Sequence, residues 1–296
     1  MQAFVQMADR GSLTAAARAL ESSLPAMVRT LAALETSLGA RLFNRTTRRI
    51  ALTEEGRIYL DHCRHILAAI NDAESAIADA LPEPTGHLTI TAPVLFGTLY
   101  VAPAVTRFVQ RYPQVKCSVM LLDRVVNLHE EGIDVGIRIG ELSDSTLVAQ
   151  KLGSIRRVVV ASPAYLRTHG TPQRPQELLQ HNCVRFVGSS GQWWTFRDND
   201  KTFNLSVDGN LDCNHAAAAI DACVAGVGVG MFISYQVAPH LADNSLELLL
   251  ENYETSPRPV HVIYPHSRLL PARTRLFIEW IKQEIKLGTP AVAARH

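Results

Sequence analysis

Residues 11–50 read GSLTAAARALESSLPAMVRTLAALETSLGARLFNRTTRRI, and the order of signals along them decides the first domain. Gly11 stops a short helix whose apolar side is Phe4, Val5 and Ala8. Ser12 then stands where an N-cap is needed for a second helix carrying Leu13, Ala16, Ala17 and Leu20. Ser22 and Ser23 offer another cap, and Pro25 falls in a first turn, where a missing N–H costs little. Met27, Leu31, Leu34 and Leu38 form the inner stripe of a third helix that ends at Gly39, leaving Val28, Arg29 and Ala32 outside. Leu42-Phe43 and an arginine-rich hairpin follow, with arginines at 41, 45, 48 and 49 and no acid between 41 and 49.

Two helices around a tight break, then a basic hairpin, make a helix-turn-helix with a wing. That shape lays one helix in a duplex groove and cations over the flanking phosphates. Arg29 is placed for a guanine edge or a phosphate, with Thr30 beside it and Val28 on the same face. Ser12 and Thr14 open the second helix, and Ser22, Ser23 and Pro25 open the third, where hydroxyls and backbone N–H groups hold phosphates. Arg45, Thr46, Thr47, Arg48 and Arg49 form the wing, to track the backbone or enter a minor groove. Arg41 has a plainer reading as half of an internal salt bridge.

Thr53 caps a fourth helix with Glu54 and Glu55 in its first turn. Along it Tyr59, Cys63, Ile66, Ile70, Ala73, Ile77 and Ala80 recur at alternating spacings of four and three, a heptad seam on a helix on the order of 35 Å long. A helix packed on its own domain shows the same stripe. A two-fold DNA reader needs two heads, so the seam is read as dimerising. Leu81-Pro82-Glu83-Pro84-Thr85-Gly86 stops the helix as a hinge.

From His87 the pattern changes to short β-rich runs alternating with helical ones. The strands are LTIT (88–91), CSVMLL (117–122), VGIRI (135–139), RRVVVAS (156–162), CVRFV (183–187), QWWTF (192–196), LSVDGNL (205–211), VGVGMFI (227–233), LELLL (246–250) and PVHVIY (259–264). Helices fall at 105–112, 164–169, 215–225 and 273–285. Such alternation specifies an α/β region with mixed sheets covered by helices.

The whole chain carries a formal net charge of +1, so only the local arginine patch points to a polyanion. Five cysteines (63, 117, 183, 213, 223) without a CxxC read as reduced thiols, and Cys213, His215 and Cys223 as core and cap rather than a metal site. The start MQAFVQMADRGS lacks the apolar core of an export signal, and Ala216–Ile233 is broken by Asp221 and three glycines. A cytoplasmic protein with no membrane span is expected. GSSG (188–191) does not fit a nucleophile elbow, HEEG (129–132) fails the HExxH zinc pattern, and GVGVG (226–230) leads into a strand. No enzyme, cofactor or metal is expected.

The head resembles that of the LysR-type transcriptional regulators, through AFVQMADRGSLTAAARALESS, PAMVRTLAALETSLGARLFNRT and LTEEGRIYL. The remainder is similar to that family's effector region in VGIRIGEL, LGSIRRVVVASPAYLRTHGTP, AAIDACVAGVGVGMF and PVHVIYPHSRLLPARTRLFIEWI. The resemblance implies a winged helix-turn-helix (1–56), a dimerisation linker helix (57–81), a hinge (82–87) and a two-lobed α/β domain like the periplasmic solute-binding proteins. Crossings near Val160 and Tyr264 would make lobe I 88–160 plus 265–290 and lobe II 161–264. It also implies a homodimer or homotetramer on double-stranded DNA, controlled by a small effector.

In that family two helix N-termini point into the cleft and suit a carboxylate or similar anion. Here they are Pro93, Val94, Phe96, Gly97 and Thr98 after the strand LTIT, and Asn214-His215 with Asn214 as cap. Arg138, Ser189 and Ser190 would add polar contacts, and Phe96 and Phe232 apolar lining. Arg138 also reads as a structural ion pair, His215 as a helix-start residue, and the two phenylalanines as core. The chain departs from the family in three places. Met1 falls inside the first helix, Leu24 stands where many relatives carry Gln, and Val28 where many carry Ser. Apolar contact with a thymine methyl replaces hydrogen bonding at the last two.

Overall fold

Three short helices open the chain, and each boundary has a local cause. Helix α1 (Gln2–Arg10) ends at Gly11, whose left-handed backbone (φ 58°) turns the chain at no steric cost. Ser12 Oγ accepts from Ala15 N at 3.3 Å to start α2 (Leu13–Ala19), and Ser23 Oγ accepts from Ala26 N at 3.3 Å to start α3 (Leu24–Leu38). Strands β1 (Phe43–Arg45) and β2 (Ile50–Leu52) pair antiparallel as the wing's stem. Thr53 Oγ1 accepts from Gly56 N at 2.9 Å and donates to Arg41 O at 2.6 Å, capping α4 (Glu54–Ile77) and tying it to the wing.

The computed structural model describes residues 1–45, 50–77, 84–142, 147–187, 193–199, 201–266 and 270–287. They fall into two compact units, one holding Met1–His87 and the other built on Leu88–Arg268 with the chain from Arg273. In the first, Phe4, Met7, Ala16, Ala17, Met27, Leu31, Leu42, Phe43, Leu60 and Cys63 form one core. Phe4 is its hub, with ring centroids 5.4 Å from Phe43 and 5.3 Å from Tyr59. The predicted inner stripe of α3 stops short: Leu38 is exposed, because the helix outruns the core beneath it.

The second unit holds two five-stranded sheets. Lobe I contains β3 (Gly86–Ala92), β4 (Val115–Leu121), β5 (Val135–Ile139), β6 (Leu147–Ile155) and β14 (Arg258–Pro265) in the order β4-β3-β5-β14-β6. Between β3 and β4 run α5 (Val94–Phe96), a π-helical turn at Gly97–Val101, and α6 (Ala102–Arg111). Lobe II contains β7 (Arg157–Ala161), β8 (Cys183–Phe186), β11 (Leu211–Cys213), β12 (Val229–Ile233) and β13 (Glu247–Leu249) in the order β11-β8-β12-β7-β13. Its helices are α7 (Pro163–His169), α8 (Ala216–Val224) and α9 (Ser234–Ala242), and β9 (Trp193–Asp198) with β10 (Lys201–Ser206) form a separate hairpin. Helix α10 (Ala272–Glu284) returns to lobe I, where Phe277 packs on Phe108 at 5.2 Å and Trp280 Nε1 donates to Ala104 O at 3.0 Å.

The chain changes sheets at Arg156, between β6 and β7, and returns between β13 and β14. Both crossings precede the predicted points: Val160 lies inside β7 and Tyr264 inside β14. Strand β6, residues 147–155, has no β-rich signature in the sequence, because its half-buried stretch carries Gln150, Lys151, Gly153 and Ser154. Helix α9 was hidden by Pro239.

All five cysteines are unpaired, and burial pushes the Cys183 and Cys223 thiols up to about 12. Among the described residues no helix is long and apolar enough to cross a membrane, and no cluster of metal-ligating side chains occurs.

Candidate functional site

The outer face of α3 carries no core. Leu24, Val28, Arg29, Thr30 and Ala32 are exposed, while Met27 and Leu31 on the opposite face are buried. Arg29 has no acidic partner among the described residues, and Thr14 is exposed at the start of α2. The capping oxygens of Ser12 and Ser23 are committed to their own helix starts, whereas Ser22 and Pro25 flank the turn. Arg41 is exposed without an ion pair among the described residues. Arg45 lies in β1, and Thr46, Thr47, Arg48 and Arg49 lie outside the described residues.

One residue that the sequence reading passed over positions the wing. Glu35, on the inner side of α3, accepts from Leu42 N at 2.8 Å and from Phe43 N at 3.3 Å, so a carboxylate anchors the first wing strand to the reading helix. Glu35→Ala orphans both amides. It is expected to cost about 1–3 kcal/mol, visible as a lower urea midpoint by circular dichroism and weaker binding to every duplex. An unchanged midpoint would show that water replaces the carboxylate.

The stripe on α4 divides. Cys63 is fully buried and Tyr59 packs on Phe4, so these two positions serve the domain's own core, a correction to their reading as the start of a dimer seam. Exposure begins one turn later, with Ile66 43% and Ile70 49% exposed. The helical backbone continues past Ala73 to Ile77.

Within the second unit a cavity of about 1010 Å³ lies between the two sheets. Lobe I supplies Arg138, Ile139, Ile263 and the loop 122–131; lobe II supplies Arg157, Phe186, Trp194, Met231 and Phe232; Tyr235 and Gln236 come from α9, and Arg258 from the return crossing. Its lining mixes apolar side chains with four arginines (124, 138, 157, 258) and four acids (Asp123, Glu130, Glu131, Glu141). Burial holds the Arg138 guanidinium below its usual range, and its Nη2 is buried without a hydrogen-bond partner. Arg124 and Glu131 neutralise each other through contacts of 2.8 and 2.6 Å. A buried guanidinium nitrogen with no acceptor is costly.

Residues 1–57 match the model of the bacterial regulatory helix-turn-helix proteins of the lysR family, and residues 82–286 match that of the LysR substrate binding domain. The chain belongs to the LysR family of transcriptional regulators. It is 33% identical to an HTH-type transcriptional repressor of Pseudomonas aeruginosa, over 99% of this chain and 95% of that protein. It is 32% identical to the regulator CrgA of Neisseria meningitidis serogroup C, over 95% of each. The solved structure of CrgA from Neisseria meningitidis superposes with a TM-score of 0.62 at 31% identity, covering 95% of this chain and 96% of that one. The virulence activator AphB of Vibrio cholerae gives 0.63 at 27% identity, covering 96% and 98%.

As a LysR regulator, the chain places its predicted effector residues unevenly. Pro93, Arg138 and Phe232 line the cavity. Val94, Gly97 and Thr98 do not. The reason is local: Val94 N already donates to Asp123 Oδ1 at 3.0 Å, so the protein's own carboxylate occupies that helix start. Gly97 packs against Leu121, Thr98 Oγ1 donates back to Val94 O at 2.9 Å, and Phe96 is buried against Tyr100 and Tyr235. Helix α8 is capped at His215, not Asn214, and neither residue reaches the cavity. Ser189 and Ser190 lie outside the described residues. Arg157, Arg258, Trp194 and Met231 were missed. The doubled arginine at 156–157 was the only hint.

Proposed function

We propose that this LysR-family regulator reads duplex DNA with α3 and its wing, as a homodimer or homotetramer joined through the exposed part of α4. It answers to a small anionic effector in the cavity between its lobes, inside the cell, with no catalytic step. The observation that carries the effector half is Arg138, half-buried in the cavity lining with one guanidinium nitrogen that has no hydrogen-bond partner. The DNA half rests on the family and on the exposed face around Arg29. An effector shifts the regulator between states only by its differential affinity for them, and here it would act by changing the placement of the two heads and the DNA bend.

A thermal-shift screen of aromatic and aliphatic acids on the purified protein tests the effector half, since a tight ligand raises the melting temperature. A footprint, affinity and bend angle unmoved by any acid that binds would remove the coupling. For the DNA half, Arg29→Ala is expected to cost roughly 1–3 kcal/mol and relax the choice of base. Arg48→Ala should weaken binding to all sequences and flatten its salt dependence. Gel-shift titrations of both variants at two salt concentrations separate the roles, and identical behaviour would reject the division.

A further inference from the structure

We infer that the effector carries two acidic groups joined by an apolar body, one group seated on Arg138 and the other on Arg157 with Arg258. This rests on the reading of the cavity as an anion site. The two seats are distinct. Arg138 comes from the middle of the lobe I sheet, and its charged neighbours are Glu131 and Arg124, which bind each other. Arg157 opens β7 and Arg258 opens β14, so the second seat is made where the chain passes between lobes. Burial and the neighbouring Arg258 push the Arg157 guanidinium down to about 10, which places two like charges together in the wall.

Two acids near this crossing, Glu251 and Glu254, are already committed, whereas Glu141 in the cavity wall has no ion pair among the described residues. Arg156 takes both Glu254, at 2.6 and 2.8 Å, and Glu251, at 3.0 Å. Arg157, the next residue of an extended chain, points to the other side, into the cavity. Among the described residues neither Arg157 nor Arg258 has an acidic partner, so the pair repel each other until an anion sits between them. Gly140 lies beside this seat: a β-carbon there would stand in ordinary contact, 3.8 Å from the Arg258 guanidinium. The same cavity is also lined by Phe186, Met231, Phe232 and Trp194, which suits an aromatic or aliphatic body. A cavity of about 1010 Å³ also exceeds what a small monoacid fills.

Calorimetry on the full chain tests this with matched probes: terephthalate and its monomethyl ester, pimelate and its monomethyl ester, and inorganic phosphate. At least one diacid is expected to bind about tenfold or more tighter than its ester. In R157Q/R258Q the diacid should fall to the affinity of the ester, with the ester itself changed by less than about threefold, whereas R138Q weakens both. The single variants, each expected to lose about threefold for the diacid alone, serve if the double variant melts early. Esters matching diacids in the parent protein, a preference surviving R157Q/R258Q, or phosphate binding as well as the best diacid would each overturn the two-seat inference while leaving the anion site standing. Silence from every probe would remove both.

Discussion

Gly56→Ala is expected to destabilise the N-terminal unit by about 3–5 kcal/mol and to abolish DNA binding. A β-carbon at this position would stand 2.0 Å from Leu42 O and 2.9 Å from Leu42 C, both backbone atoms next to the wing strand. The neighbouring contacts leave no slack. Leu42 N is held by Glu35, and the Gly56 amide itself donates to Thr53 Oγ1, the atom that caps α4. Relief requires α4 and the wing to separate, and that separation opens the core around Leu42, Phe43 and Leu60. A domain of this size has a total stability of roughly 5–8 kcal/mol, so the substitution consumes most of it.

The measurement is clean because all three tryptophans (193, 194, 280) lie in the second unit. Tryptophan fluorescence should unfold as in the parent protein, while the circular dichroism transition of the helical head moves to much lower urea. Gly39→Ala is the control: it too has a positive φ, of 65°, but open space around the added carbon, and should cost only about 1 kcal/mol. If the two variants lose equal stability, the close approach of α4 to the wing is not what Gly56 is for.

The head was legible because its signals are local. Gly11, Ser12, Ser23 and Thr53 each act within three or four residues, so caps and stops show in the string itself. The α4 stripe was legible as a stripe, but periodicity does not say what covers it. Cys63 and Ile66 share the pattern, and only the depth of the neighbouring core sends one inward and leaves the other outside. In the second unit strand identity was readable where β-branched residues crowd, as in VGIRI and RRVVVA, and unreadable in β6. The cavity was the least legible part. Val94 looked like a free helix start until the fold brought Asp123 onto it from 29 residues away. Arg157 and Arg258 meet only because two crossings, about a hundred residues apart in the chain, run beside each other.

Arg138→Met is expected to move two observables in opposite directions, which a merely structural arginine would not do. With the guanidinium gone, the acids that the parent protein binds should lose about 2–5 kcal/mol, effectively their whole affinity, because the anion is left with no cation at the lobe I seat. The unliganded protein should at the same time become slightly more stable, by about 1 kcal/mol. The native state no longer buries an unsatisfied nitrogen, and Glu131 keeps its bond to Arg124. Tryptophan-detected melting should therefore show a midpoint a few degrees higher without ligand and no further rise with it. DNA affinity in the absence of ligand should match the parent, since the change is confined to the effector cavity, yet titration with acid should no longer shift the footprint. A variant that melts earlier and still binds acids would make Arg138 a plain structural cation and return the cavity to an open question. If instead stability rises as binding vanishes, the strain at Arg138 is what an effector relieves, and that relief is the free energy available to bias the two states of the regulator.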